Sequence, residues 1–351
     1  MTMTLAVLLL TIAPAHTTAD PTLRDRLTRA AEQAAVQEQS AILGEDGWLF
    51  FTPELRHLGV GPFWGERAAE VSRAAQPDAA DPLPAIVDFH EQLARAGIEL
   101  VVVPVPAKAT IYPDRLPRDL APMDRATNER LDVHHAQFYE QLAGHGVNVL
   151  DLTPLMLAWR DDENDDARGP LYSRQDTHWS GLATVKVAEH LASAIERQPW
   201  YDDVEKQAFD ATWRDVSIRG DLHRMYVDSH ADEALPRESM PLRFVSEADD
   251  GEPVQPWRES PVLLVGDSHT LVYHVGDDMH ARGAGLAEQL AFEFGFAPDV
   301  VGVRGSGATP SRIALLRRRD NLAGKRYVIW CFSVREFTEG QGWRKMPVIR
   351  E

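Results

Sequence analysis

The sequence predicts an α/β protein in which a parallel sheet carries helices on both faces. Three observations predict it. Short unbroken apolar runs, such as Ile98–Val105, suit strands covered on both sides. Segments with helical spacing alternate with these runs along the chain, the pattern of βαβ units. Two of the runs end in glycine-containing turns, Gly266-Asp267-Ser268 and Gly305-Ser306-Gly307. Sheets of this kind place their active sites there, beyond the carboxyl ends of the strands.

The elements follow in order. Arg24–Gln39 is alanine-rich and charged and reads as a helix. Asp46-Gly47 is a turn signal, and the aromatic run after it, Trp48-Leu49-Phe50-Phe51, suits a strand. Leu83–Ala96 puts Ile86, Phe89, Leu93 and Ala94 on one helical face, closed by Gly97, and Ile98–Val105 is the next strand. Arg130–Ala143 is a helix and Val147–Leu152 a short strand. Ser180–Arg197 is a helix with Ser180 as its N-cap. Trp200–Pro256 reads as a less regular, polar insertion. The alternation then resumes with strand Pro261–Val265, helix Gly285–Phe294, strand Asp299–Val303, helix Ser311–Asp320 and strand Arg326–Phe332.

Composition narrows the function. At 351 residues, 44% of them apolar and nine of them tryptophan, the chain can bury a large core, as one sizeable domain or two smaller ones. Its 36 basic and 54 acidic side chains give a net charge of −18, with no long basic cluster. Nucleic acid and anionic membrane surfaces are thereby disfavoured as partners. The single cysteine, Cys331, lies in an apolar run and reads as a buried, inert thiol; it excludes an intrachain disulfide and a cysteine zinc site. Leu5–Ala13 is an uncharged apolar run of signal-peptide length followed by Ala13-Pro14-Ala15, an A-x-A cleavage pattern, although no Lys or Arg precedes it. Residues 1–19 are therefore expected to be an export signal, with an uncleaved anchor as the alternative.

Two motifs carry chemistry. In Val265-Gly266-Asp267-Ser268-His269 a serine follows a buried strand. A serine nucleophile needs such exposure, a base to remove its proton and nearby N–H groups to face the oxyanion. Gly-Asp-Ser is also an ordinary turn, and the G-x-S-x-G elbow is absent because Thr270 replaces its second glycine. In Asp176-Thr177-His178-Trp179 the carboxylate and imidazole stand two residues apart and can project to one side of an extended segment. Asp176 could then accept from the imidazole Nδ1, leaving Nε2 to serve as base. The competing reading is a capped helix start with a surface histidine.

Together the two motifs resemble the bacterial polysaccharide O-acetyltransferases of the alginate AlgJ/AlgX type. Glu45-Asp46-Gly47-Trp48-Leu49-Phe50-Phe51, Val103-Pro104-Val105-Pro106-Ala107-Lys108 with Tyr112-Pro113, Arg219-Gly220-Asp221-Leu222, and Ile329–Phe337 with Arg335 and Glu336 resemble further elements of that family. The resemblance spans roughly residues 40–340. It implies an SGNH-hydrolase-like, flavodoxin-like α/β/α domain with circularly permuted motif order, since Asp-x-His precedes the serine. It implies Ser268, His178 and Asp176 as a catalytic triad with no cofactor and no metal. The acceptor would be an exported polysaccharide, and a membrane-bound O-acyltransferase would deliver the acetyl donor to a periplasmic or secreted enzyme. Gly305, Gly307, Arg335, His269, Lys108 and Tyr112 are its candidate oxyanion-hole or substrate-binding residues, with Arg335 equally able to form a structural salt bridge to Glu336 or another carboxylate. An SGNH-type acetyl esterase and a non-catalytic scaffold of a secretion complex are the rival functions. The chain stops soon after the catalytic region, a layout nearer AlgJ than AlgX, and the usual SGNH asparagine block has no clear counterpart.

Three other groups read as structural. His134-His135 cannot both face one metal on a helix and are expected at the surface. Asp161–Asp166 lacks the spacing of a calcium loop. Trp64, Trp159 and Trp343 are expected in the core rather than stacked on sugars.

Overall fold

A computed structural model describes residues 21–121, 130–162, 168–229 and 235–350. The expected export segment and most of the acidic Asp161–Asp166 stretch lie outside these residues. Helix α1 (Pro21–Val36) leads into a small antiparallel pair, β1 (Ala41–Leu43) and β2 (Leu49–Phe51), which turns at Asp46-Gly47 as expected. Helices α2 (Thr52–Gly59), α3 (Ala68–Val71) and α4 (Leu83–Arg95) follow, and Gly97, at φ +72°, ends the last of them. Next come β3 (Glu99–Val105), the single turn α5 (Lys108–Ile111), α6 (Val133–Gly144) and β4 (Asn148–Val149). The strand expected over Val147–Leu152 is cut short because Leu152 already begins α7 (Leu152–Asp162), which buries Leu152 and Met156.

Helix α8 (Gly181–Ile195) starts where Ser180 predicts, with the serine Oγ accepting from the Ala183 N–H at 3.3 Å. The segment expected to be irregular is in fact a long antiparallel hairpin. Strands β5 (Phe209–Ile218) and β6 (Glu238–Glu247) pair along ten residues each, and α9 (Asp221–Ser229) lies between them in sequence. Leu242 and Met240 of β6 join the core beside α8, so this segment packs as part of the molecule. The chain closes with β7 (Val262–Gly266), α10 (Leu286–Phe294), β8 (Asp299–Gly302), α11 (Thr309–Arg318), β9 (Tyr327–Ser333) and α12 (Glu336–Glu339).

The main sheet has the order β4-β3-β9-β7-β8, and every pairing in it is parallel. Counted from β7, the spatial order β8-β7-β9-β3-β4 is 2-1-3-4-5, the doubly wound flavodoxin-like arrangement with the chain ends moved to a different loop. Period-2 alternation divides the buried strands between two faces. Val101, Val103, Leu264, Ile329 and Cys331 pack with α8 and α10 on one side. Leu100, Val102, Leu263, Val265, Val328 and Trp330 pack with α4, α6 and α11 on the other. Cys331 is fully buried, as its apolar run predicts. Among the described residues no helix is long and apolar enough to cross a membrane. The strand order reverses between β7 and β9, and the crevice at such a switch point is where these sheets bind ligands. Ser268 follows β7 at that crevice.

Candidate active site

Strand β7 delivers the Gly-Asp-Ser turn through tight backbone contact. A Cβ on Gly266 would stand 1.7 Å from the Cys331 carbonyl oxygen, so only glycine fits beside β9. Asp267 then organises the turn. Its Oδ1 accepts from the His269 N–H at 2.8 Å and its Oδ2 from the Ser333 N–H at 2.8 Å. Burial pushes this carboxyl's pKa up, but His269, Arg335 and the Ser333 N–H outweigh burial and hold it below the usual range. Ser268 opens a short 3-10 turn, Ser268–Thr270, and is 6% exposed.

The Asp176-Thr177-His178 segment faces the same place. His178 Nδ1 lies 2.5 Å from Asp176 Oδ1, and the His178 backbone N–H donates to that oxygen at 3.0 Å. The expected Asp–His pair is thus formed, and His178 is buried rather than at the surface. Burial raises the Asp176 carboxyl, but the charges and hydrogen bonds of His178 and His280 more than offset it and hold the group well below the carboxylate range. For His178 burial lowers the pKa, and Asp176 overcomes this to leave it above the ordinary histidine value. His178 Nε2 is buried and has no hydrogen-bond partner, so it is not bonded to Ser268 Oγ. The residue after the serine, His269, packs its ring 4.9 Å from that of His178.

Four groups that were not among the candidate site residues hold this segment in place. Asp221, from the Gly-Asp-Leu element, donates its N–H to Asp176 Oδ2 at 2.8 Å and accepts from the Thr177 N–H and hydroxyl at 2.7 and 2.6 Å. Gly220 permits this approach, since a Cβ there would meet the Gln175 carbonyl oxygen at 1.8 Å. Glu238, at the start of β6, accepts from Ser173 Oγ at 2.6 Å and from the Arg174 N–H at 3.0 Å. The fourth is His280, whose Nε2 lies 2.8 Å from Asp176 Oδ2. The Gly220-Asp221-Leu222 element, read as a family motif, was the one signal at Asp221; His280 carries none.

The remaining sequence candidates divide. Lys108 is buried, and its ammonium donates to the carbonyls of Leu49, Arg174 and Asp176 at 2.9, 3.3 and 2.6 Å. All three donors are engaged, so Lys108 fastens the Asp176 segment to β2 and has none left for substrate, and burial brings its pKa down to about 8. Tyr112 is likewise buried, with its hydroxyl accepting from the Leu171 N–H at 2.9 Å and its ring 4.5 Å from that of Trp48. Arg335 Nη1 donates to Glu54 Oε1 at 3.1 Å and to Ser333 Oγ at 3.0 Å, so its salt bridge runs to Glu54 and not to Glu336. Gly307 is buried against the turn, with its Cβ position 3.1 Å from the Asp267 nitrogen, whereas Gly305 is exposed at φ +82°.

The carboxylates of Asp176 and Asp221 and the His178 ring come within 4.8 Å of one another, close enough to enclose a cation. N–H and O–H donors already point at all four carboxylate oxygens, so these residues are a poor fit to a metal. A groove of about 450 Å³ opens beside the segment, lined by Gly169, Arg174, Gln175, Ser180, Pro236 and Met240; Ser268 and His178 are not in its wall. His135, expected at the surface, is instead buried and lies with Nε2 2.7 Å from His57 Nε2.

Comparison with known proteins agrees with this architecture. The probable alginate O-acetylase AlgJ of Pseudomonas aeruginosa is 28% identical over 209 residues, 59% of this chain and 46% of that protein. The corresponding Pseudomonas putida protein is 26% identical over 241 residues, 66% of this chain and 55% of its own length. The chain thus spans about half the length of these relatives. The solved O-acetyltransferase domain of Pseudomonas putida AlgJ shares the fold, with a TM-score of 0.60 at 23% identity over 85% of this chain and 92% of that one. The model of the SGNH hydrolase-like domain of acetyltransferase AlgX matches residues 41–334, which take in every strand of the permuted sheet and both chemical motifs, and the chain therefore belongs to that family.

Proposed function

We propose that this chain is a serine-dependent O-acetyltransferase acting on sugar hydroxyls of an exported, alginate-like polysaccharide. The observation that carries the proposal is the state of His178. Its Nδ1 is fixed on a buried carboxylate, while its Nε2 is buried and free of any partner beside the Ser268 turn. A base so held has its tautomer set and its outward nitrogen available. Hydrogen bonds between nucleophile and base are often long before substrate binds.

In the first half-reaction Ser268 Oγ attacks the acetyl carbonyl and its proton passes to His178 Nε2. The tetrahedral intermediate collapses, the donor's leaving oxygen takes that proton, and acetyl remains as an ester on Oγ. In the second half-reaction a sugar hydroxyl gives its proton to Nε2 and attacks the ester. The acetyl group moves to the sugar and Oγ recovers the proton. The backbone N–H groups of Ser268 and Gly307 are assigned to the oxyanion, because Gly307 lies against Asp267 whereas Gly305 points to solvent. The names of the relatives support acetyl transfer to alginate, and we place the chain outside the cytoplasm, supplied with acetyl by a membrane-bound O-acyltransferase.

The test is acetylation with an activated acetyl ester. The wild type is expected to gain one acetyl group on Ser268, seen by mass spectrometry, and to pass it to an added oligouronate. Ser268→Ala is expected to abolish both steps, and His178→Ala to lose about as much activity, because members of such a set act as a unit. Full activity in Ser268→Ala would overturn the proposal. Free acetate as the sole product with every acceptor would reassign the chain as an esterase.

A further inference from the structure

Asp176 carries a second imidazole. His280 Nε2 lies 2.8 Å from Asp176 Oδ2, while His178 holds Oδ1. The His280 side chain is 6% exposed, and its other ring contact is Tyr273, at 6.1 Å between centroids. Its backbone is unusual: φ is 72° and ψ −47°. The Ala281 N–H donates to the Met279 carbonyl at 2.9 Å, which closes a three-residue γ-turn around His280. The positive-φ form of that turn is rare and strained for a residue with a Cβ.

The strain is held by the loop around it. Tyr273 N–H donates to Met279 O at 2.9 Å, Gly276 N–H to Ala281 O at 2.8 Å, and Ala284 N–H to Tyr273 O at 3.0 Å. The chain that leaves Ser268 thus doubles back and presents His280 to Asp176. Glycine would satisfy the turn alone without strain. A histidine here makes sense through its ring, and its ring meets Asp176. Backbone outliers kept under strain cluster at functional sites.

We infer that His280 is a positioning residue that sets the basicity of His178 through Asp176. The inference rests on the role proposed for His178 and deepens it. Oδ2 takes two donors, the His280 ring and the Asp221 N–H. Each draws negative charge away from the carboxylate and weakens its hold on the His178 proton. Both also fix the carboxylate's rotation, keeping Oδ1 in line with Nδ1. The direction is the same whether the His280 ring is neutral or charged, since it donates an N–H either way. Asp176, Asp221, His269 and Arg335 are the other charged or titratable groups acting on His178, and Lys108 and Tyr273 also stand near Asp176.

The test follows the His178 imidazole by NMR against pH and needs no turnover. His280→Gly accepts the positive φ and removes the ring. It is expected to leave the protein folded and to move the His178 midpoint upward by roughly half to one pH unit. His280→Asn keeps a Cβ in the turn, as the histidine does, and its shorter amide is expected to fall short of Asp176, so it gives the same shift should the glycine variant not fold. His280→Gln restores an N–H at similar reach and is expected to return the midpoint to the wild-type value. An unchanged midpoint in both short variants would make His280 a turn residue and nothing more. A shift in His280→Gln as large as in His280→Gly would remove the hydrogen bond as the cause. If acetyl transfer is correct, the acid limb of kcat/KM moves with the NMR midpoint. If the midpoint moves while the wild type never acetylates Ser268, the positioning role stands and the acetyl-transfer reading falls.

Discussion

Asp176 accepts four hydrogen bonds, two to each oxygen, and so acts as the anchor for groups that arrive from three separate stretches of chain. The pH dependence of the proposed reaction follows from this. His178 must be neutral to take a proton, and Asp176 outweighs burial to raise its pKa above the ordinary histidine value of 6.5. Activity is therefore expected to fall on the acid side with a midpoint above about 6.5. Asp176→Asn removes the charge that holds the proton, and should move that midpoint downward while lowering kcat. An acid limb that rises or stays in place in Asp176→Asn would show that another group sets it. At this scale the sequence was informative where contact is local. Asp176 and His178 are two residues apart, and Ser268 sits at a strand end. His280 reaches Asp176 across 104 residues of separation through a strained turn, and no spacing rule marks such a contact. Lys108 and Tyr112 were legible as family motifs, but a motif does not reveal that every Lys108 donor is turned inward.

Elements meet at glycines in this fold, and one of the tightest approaches joins the Asp176 segment to the start of α9. Gly220→Ala would place a Cβ 1.8 Å from the Gln175 carbonyl oxygen and 2.8 Å from the Asp176 nitrogen, both backbone atoms that cannot swing away. The expected cost is about 3 kcal/mol, the upper end of ordinary overpacking, read as a lower denaturant midpoint. Activity should fall further than stability, because Asp221 and Asp176 move apart. Gly144→Ala is the control: nothing lies within 4 Å of its Cβ position and its φ is helical, so stability should hold. Lys108→Met tests the same segment from α5. It takes the ammonium away from the buried Leu49 and Asp176 carbonyls, while the Arg174 carbonyl keeps the Leu49 N–H at 2.8 Å, and should cost on the order of 3 kcal/mol in chemical denaturation. A loss below about 1 kcal/mol would mean that water replaces the ammonium there. Helices and buried parallel strands were legible because their apolar patterns are strong. The β5–β6 hairpin was not. One face of it is solvated, its alternation is diluted by charged residues, and Pro241 interrupts β6, so its pattern resembles a polar loop.

For the whole molecule, the parallel sheet was readable from the order of apolar runs, and the permuted order from Asp-x-His preceding the serine. What joins the sheet to its flanks was not readable, and the clearest case is the buried pair His57–His135. His57 lies in α2, His135 in α6, and Thr338 in α12. Thr338 Oγ1 donates to Glu339 Oε1 at 2.8 Å, so it accepts from His57 Nδ1 at 2.8 Å. His57 Nε2 is then an acceptor, and His135 Nε2 donates to it at 2.7 Å. Both rings are neutral in this arrangement, and Phe63 and Phe337 pack against them. Burial lowers both pKa values, that of His135 to about 3. Between pH 6.5 and 3 the unfolded chain therefore binds a proton at residue 135 that the folded chain refuses. Stability contributed by this site is complete above pH 6.5 and drains away as pH falls through that window, at about 1.4 kcal/mol per pH unit. Other groups titrate in the same range, among them Glu336, whose pKa burial and Asp267 raise to about 7 with the opposite slope. The informative quantity is thus a difference between proteins. His135→Phe is expected to lower stability at pH 7, since it leaves His57 Nε2 without its donor, and to flatten the pH dependence of unfolding by about one proton between pH 6.5 and 4. Urea denaturation of both proteins across that range measures this directly. Parallel stability curves would mean that His135 is protonated in the folded protein, and the hydrogen-bond chain from His135 to Glu339 would have to run with different protons.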